Sequence, residues 1–215
     1  MSEAALIVIV LGGILVFITL LVLGIIFGMK AYQKSLAIAQ YIINDRDLLL
    51  LINDEPDSII NAESLAKTSG LSLGDAKKRL GYLANSGILN RLNNSKFKTF
   101  YELKKEIQND TLIKLSAEPY LTIEDLFELF DHHGYKMSLQ DICISTGLPI
   151  EIIKREMKYF EKEGIVHSLV RTVGFVQHAV YILQEPYKND PRRYRNIEEE
   201  VNLDLEKIYL KTRPK

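Results

Sequence analysis

AESLAKTSGLSLGDAKKRLGYLANSGIL, residues 62–89, has a counterpart further along the chain: SLQDICISTGLPIEIIKREMKYFEKEGIV, residues 138–166. Gly70 falls on Gly147, Leu71 on Leu148, and Gly87-Ile88 on Gly164-Ile165. Leu65, Leu80 and Leu83 fall on Ile142, Met157 and Phe160, all at one offset of 77 with no gap. Upstream, Leu49 and Leu50 fall on Leu126 and Phe127. Self-similarity at a fixed offset marks a repeated structural unit.

Each copy reads the same way. A first helix carries an apolar face, residues 48–52 or 126–130. A second, short helix ends at Gly70 or Gly147, where glycine supplies a left-handed C-cap. Ser72 and Pro149 mark the start of a third helix, since serine caps well and proline suits a first turn. That helix stops at Gly87 or Gly164. A period-two stretch follows, LNRLNNSKFKTFYEL at 89–103 with Asn93-Asn94-Ser95 as its turn, and 166–183 with a break near Gly174.

The pattern LAxxSGLSxxxxxxxLxxLxxxGIL, followed by a hairpin, resembles the winged helix-turn-helix superfamily, twice in tandem. The resemblance implies a mainly α fold with small β-hairpins. The expected domains are a winged helix at 46–105, a linker at 106–119 and a second winged helix at 120–185, with the connecting stretch 103–116 read as helical. The superfamily includes DNA-binding regulators and pure protein-interaction modules, and fold alone does not choose between them.

In such a fold the third helix buries one face and offers the other. At 3.6 residues per turn, Leu73, Ala76, Leu80, Leu83 and Ala84 form one stripe in the first copy. Gly74, Asp75, Lys78, Tyr82 and Asn85 lie opposite, with Lys77 and Arg79 on the flanks. In the second copy Ile150, Ile153, Met157 and Phe160 face Glu151, Ile152, Arg155, Tyr159 and Lys162. A basic group beside an aromatic hydroxyl suits phosphates and groove edges; the same residues also serve as an ordinary solvated face.

Charge separates the copies. Residues 46–105 hold ten basic and seven acidic side chains, and residues 118–185 hold six and eleven. Lys77, Lys78, Arg79 and Tyr82 on the helix, with Arg91, Lys96 and Lys98 on the hairpin, are therefore the expected nucleic-acid contacts. Arg155, Tyr159 and Lys162, interleaved with acids, are expected to meet a protein partner or a second copy.

The ends complete the plan. Residues 4–28, AALIVIVLGGILVFITLLVLGIIFG after the first acid, carry no charge and suffice to cross a bilayer. No basic n-region and no small-residue cleavage site accompany them, so a retained anchor is expected rather than a cleaved signal. Lys30 and Lys34 follow the span and only Glu3 precedes it, which predicts an outer N-terminus and a cytoplasmic body. Gly24 and Gly28 form a G-x-x-x-G step, a spacing that packs membrane helices but also arises from glycine's frequency there. Residues 29–45 read as a continuing juxtamembrane helix. Residues 186–215 form a charged tail helix whose Ile197, Val201, Leu205 and Ile208 line one seam, free to dock on a partner or on its own second copy.

Chemistry is not legible. Beyond the anchor 27 basic side chains meet 27 acidic ones, so no overall cationic footprint exists. His132, His133, His167 and His178 show no metal-binding spacing, and Cys143 reads as a buried thiol. No phosphate-binding glycine loop or nucleophile elbow occurs. No enzyme, cofactor, metal or small-molecule substrate is expected. Two functions stand open: a membrane-anchored regulator whose first copy binds DNA while the second copy and tail make protein contacts, or an adaptor in a membrane-associated complex that binds only proteins.

Overall fold

The structure, a computed structural model, describes residues 3–107, 113–173 and 176–212. It is mainly α-helical with two small antiparallel sheets. Helix α1 (Glu3–Ile42) is one element, and Phe17–Ile42 within it is long and apolar enough to cross a membrane. The helix stops three residues short of the expected Asp45. Asn44 turns to extended geometry there and caps α2 (Asp45–Asn53) through Asp47 N, at 2.7 Å.

The 77-residue offset holds in three dimensions. Helices α3 (Ala62–Ser69) and α4 (Leu73–Asn85) recur as α6 (Leu139–Thr146) and α7 (Ile150–Lys162), and α2 recurs as α5 (Ile123–His132). Each unit also holds a short strand that the periodicity did not reveal, β1 (Ile59–Ile60) and β4 (Lys136–Ser138). Strands β2 (Leu89–Asn93) and β3 (Thr99–Leu103) make the first hairpin; β5 (Val166–Val173) and β6 (Val176–Leu183) make the second. The sheet orders are β1-β3-β2 and β4-β6-β5. Ile60 pairs with Tyr101 and Met137 with Tyr181, and all four are buried. The turn expected near Gly174 lies outside the described residues.

Backbone geometry repeats too. Gly70 and Gly147 sit at φ 75° and 72°, closing α3 and α6 in the left-handed region. Asp57-Ser58 and Gly134-Tyr135, at equivalent positions before each short strand, also take positive φ. Side-chain caps at Asn61 and Ser138 start α3 and α6.

The linker after Leu103 is not helical among its described residues. Its donors and acceptors are claimed from elsewhere. Asn53 brackets Ile107, accepting from its N–H at 2.8 Å and donating to its carbonyl at 3.4 Å, and Gln140 donates to the Lys105 carbonyl at 2.6 Å. A helix would have used those groups internally. After a short 3₁₀ turn (Pro191–Asn196), α8 (Glu198–Thr212) runs back along the second unit. One buried cluster extends from Ala39 through both units to Leu205, so the copies share a core.

Candidate functional site

The α4 stripe buries Ala76, Leu80, Leu83 and Ala84 as periodicity requires, while Leu73, in the first turn, is 44% exposed. Arg79 departs furthest from expectation. It belongs to the stripe, three residues after Ala76 and four before Leu83, and it is fully buried. Its Nη1 lies 2.6 Å from Asp45 Oδ1, and its Nη2 donates to the Ile43 carbonyl at 3.0 Å. Arg79 is therefore not available to a phosphate. The second unit puts Glu156 at the same position, also fully buried. It accepts the Leu121 N–H at 2.8 Å and an ion pair from Arg155 at 2.5 Å. Burial pushes the Glu156 carboxyl above its ordinary range. A cation in one copy and an anion in the other thus hold the chain where each first helix begins.

Asp45 joins the copies. Pro149 starts α7 without a side-chain cap, and Asp45 Oδ2 fills that place by accepting the Ile150 N–H at 2.9 Å. A carboxylate there also suits the positive end of the helix dipole. Asp45 is itself an early residue of α2, which is why sequence alone gives it only a local role.

The outward face of α4 is engaged from two sides at Asp75, Lys78 and Tyr82, while Gly74 and Asn85 stay exposed. On one side α1 lays Ser35, Leu36 and Ala39 against it. Ser35 Oγ donates to Asp75 Oδ1 at 2.7 Å and accepts from Lys78 Nζ at 2.6 Å. On the other side Lys154 of α7 donates to Ser86 Oγ at 2.8 Å and sits 5.5 Å above the Tyr82 ring. Burial, reinforced by Glu151, drives the Tyr82 hydroxyl far above its ordinary pKa. Lys78 and Tyr82, expected to reach a DNA groove, instead make contacts within the chain. Lys77, Arg91, Lys96 and Lys98 remain exposed. Lys98 pairs with Glu63 at 2.6 Å, and Arg91 lies 5.8 Å over Tyr101.

The α7 face is covered in turn by α8. Arg155 donates to Thr212 and lies 5.9 Å over the Tyr209 ring. Tyr159 donates to Asp204 at 3.4 Å, and burial with that carboxylate pushes its hydroxyl up to about 12. Val201 and Leu205 are fully inside, and Ile197 packs against the core. Ile208, with Lys162, lines the remaining cleft between α7 and α8. The tail seam therefore packs on its own second unit through Ile197, Val201 and Leu205.

No protein-family model and no curated protein matches the chain.

A second cleft, of 310 Å³, lies where the units meet, lined by Gly87, Lys104, Lys105, Lys136, Gln140 and Asp141 among others. Lys105 is neutralised there by Asp141 at 2.9 Å. Lys104 donates to the Gly87 carbonyl at 2.6 Å and contacts His178, and burial lowers its pKa. Those contacts engage Lys104 and Lys105, two of the three lysines at the cleft. Among the described residues no group of His, Cys, Asp and Glu could hold a metal ion. Cys143 is buried, and desolvation drives its thiol well above the ordinary range, away from nucleophilic character.

Proposed function

We propose that this protein is a membrane-anchored, non-enzymatic adaptor built from two winged-helix units fused into one body. The observation that carries the reading is the coverage of both third helices. A groove reader must present that helix free, and here α1 and α7 cover α4 while α8 covers α7. The acidic balance of the second unit points the same way, because like charge opposes a phosphate backbone. The partner surface in this reading is the outer side of β5. It is an edge strand of eight residues with Leu169 and Val170 half exposed, and such an edge accepts an added strand. The anchor is α1, with the body on the cytoplasmic side, where Lys30 and Lys34 favour retention.

The test is a titration of the full chain in detergent with duplex DNA at several salt concentrations. The adaptor reading expects no binding at low salt. It is overturned by binding whose logarithm falls steeply with that of salt and flattens when Lys77, Arg91 and Lys96 become alanine.

A further inference from the structure

The first hairpin holds an aromatic ring out in solvent at a cost. Phe97 is 92% exposed at φ 57°, a left-handed conformation that disfavours a bulky residue. Asn94 builds the tip around it, its Oδ1 accepting the N–H groups of Lys96 at 3.0 Å and Lys98 at 2.9 Å. The Phe97 N–H closes the turn on the Asn94 carbonyl, also at 3.0 Å. The ring thus stands between two lysines with nothing of its own chain to cover it.

The surroundings extend this surface. Lys98 ties the tip to Glu63 at the start of α3, and Lys67 and Lys77 act on the same carboxylate. Lys67, Lys77 and Lys96 are exposed beside it, and so is Leu73 in the first turn of α4. Glu63 meets three of these lysines, and Asp75, in the same turn as Leu73, is already engaged by Lys78 and Ser35, which leaves a cationic excess around two exposed apolar side chains.

The tether sets where this surface lies. Ser35 of α1 meets Asp75, and the Ile43 carbonyl meets Arg79, so α4 points its N-terminal turn back toward the apolar span. Ser35 lies seven residues beyond Gly28, about 10 Å at a helical rise of ~1.5 Å per residue. The polar layer on each side of a bilayer is roughly 5–8 Å deep. The first turn of α4 therefore starts at the outer limit of the headgroups.

We propose that the Lys96-Phe97-Lys98 tip, with Lys67, Leu73 and Lys77, docks on anionic lipid headgroups of the bilayer that α1 crosses, Phe97 inserting and the lysines neutralising phosphates. This rests on the anchor reading of α1. The docked tip fixes the orientation of the body on the membrane.

The chain contains no tryptophan, so Phe97→Trp creates a single fluorescent reporter. The full-length protein is reconstituted into phosphatidylcholine vesicles with and without roughly a third phosphatidylserine, with acyl-chain-brominated lipid as quencher. The expected result is blue-shifted emission and quenching in the anionic vesicles. Lys96→Gln and Lys98→Gln should each lower the docked-to-undocked ratio about fivefold. Water-like, unquenched emission, or quenching indifferent to phosphatidylserine, overturns the proposal. A separate Phe27→Trp chain reports the span itself. If it is quenched while Phe97→Trp is not, the docking inference fails and the anchor stands; if neither is quenched, both fail.

Discussion

Arg79 and Asp45 carry the largest single-residue effects. Each is fully enclosed, and removing one partner of a buried ion pair leaves the other charge without compensation, a loss of about 3–5 kcal/mol. Arg79→Ala should therefore destabilise the full chain by that amount in urea unfolding followed by circular dichroism. Lys77→Ala, on the neighbouring exposed position, should stay within about 0.5 kcal/mol. Combining Asp45→Asn with Arg79→Met should cost less than the sum of the two single changes, because they share one interaction. A near-neutral Arg79→Ala would mean that the arginine faces water. The clue was already in the spacing: a residue three after Ala76 and four before Leu83 lies on the apolar stripe whatever its charge. The run Lys77-Lys78-Arg79 read as one cationic patch, yet a helix turns its three members to three environments: solvent, the α1 contact and the core.

At the scale of elements, the two copies were legible because glycine is the favoured residue at a left-handed cap. Gly70 and Gly147 occupy such caps, and an added Cβ would meet no atom within 4 Å at Gly70 and only the Arg46 side chain, at 3.7 Å, near Gly147. Backbone strain alone then sets the penalty. Gly70→Ala and Gly147→Ala should each cost about 1–2 kcal/mol. Gly81→Ala, inside α4 and in ordinary contact with Arg91, should instead gain up to about 1 kcal/mol of helix propensity. Thermal unfolding of the three variants checks the contrast, and equal signs at all three positions would contradict the caps. The short strands β1 and β4 escaped notice because two or three residues show no period. The linker was misread as helical because its sequence is helix-compatible, while its backbone groups are bound by Asn53 and Gln140, far away in the chain.

At the scale of the whole molecule, the sequence made the two units visible but not their relation. What joins them is a carboxylate from one copy capping a helix of the other, a lysine laid over a tyrosine, and two flanking helices lying against the outward sides of α4 and α7. Each contact links residues far apart in the chain, and no local period encodes such pairings. The tail seam illustrates this: Val201 and Leu205 are buried and Ile197, just before α8, packs against the core, but a stripe in a sequence does not name what it packs against. The closed arrangement also explains why a basic first copy need not imply DNA.

Thiol labelling tests that closure most directly. The one native cysteine is buried and its thiol is poorly ionised, so the parent chain should be silent to a maleimide reagent. Ser86, 5% exposed beneath Lys154, and Ser95, at the open hairpin tip, are each replaced by cysteine in the full chain held in neutral detergent without any anionic bilayer. The closed arrangement predicts that Ser86→Cys labels at least about tenfold more slowly than Ser95→Cys, because its exposure requires the units to part. Equal rates at the two positions would show that α4 is open to solvent, contradicting the account.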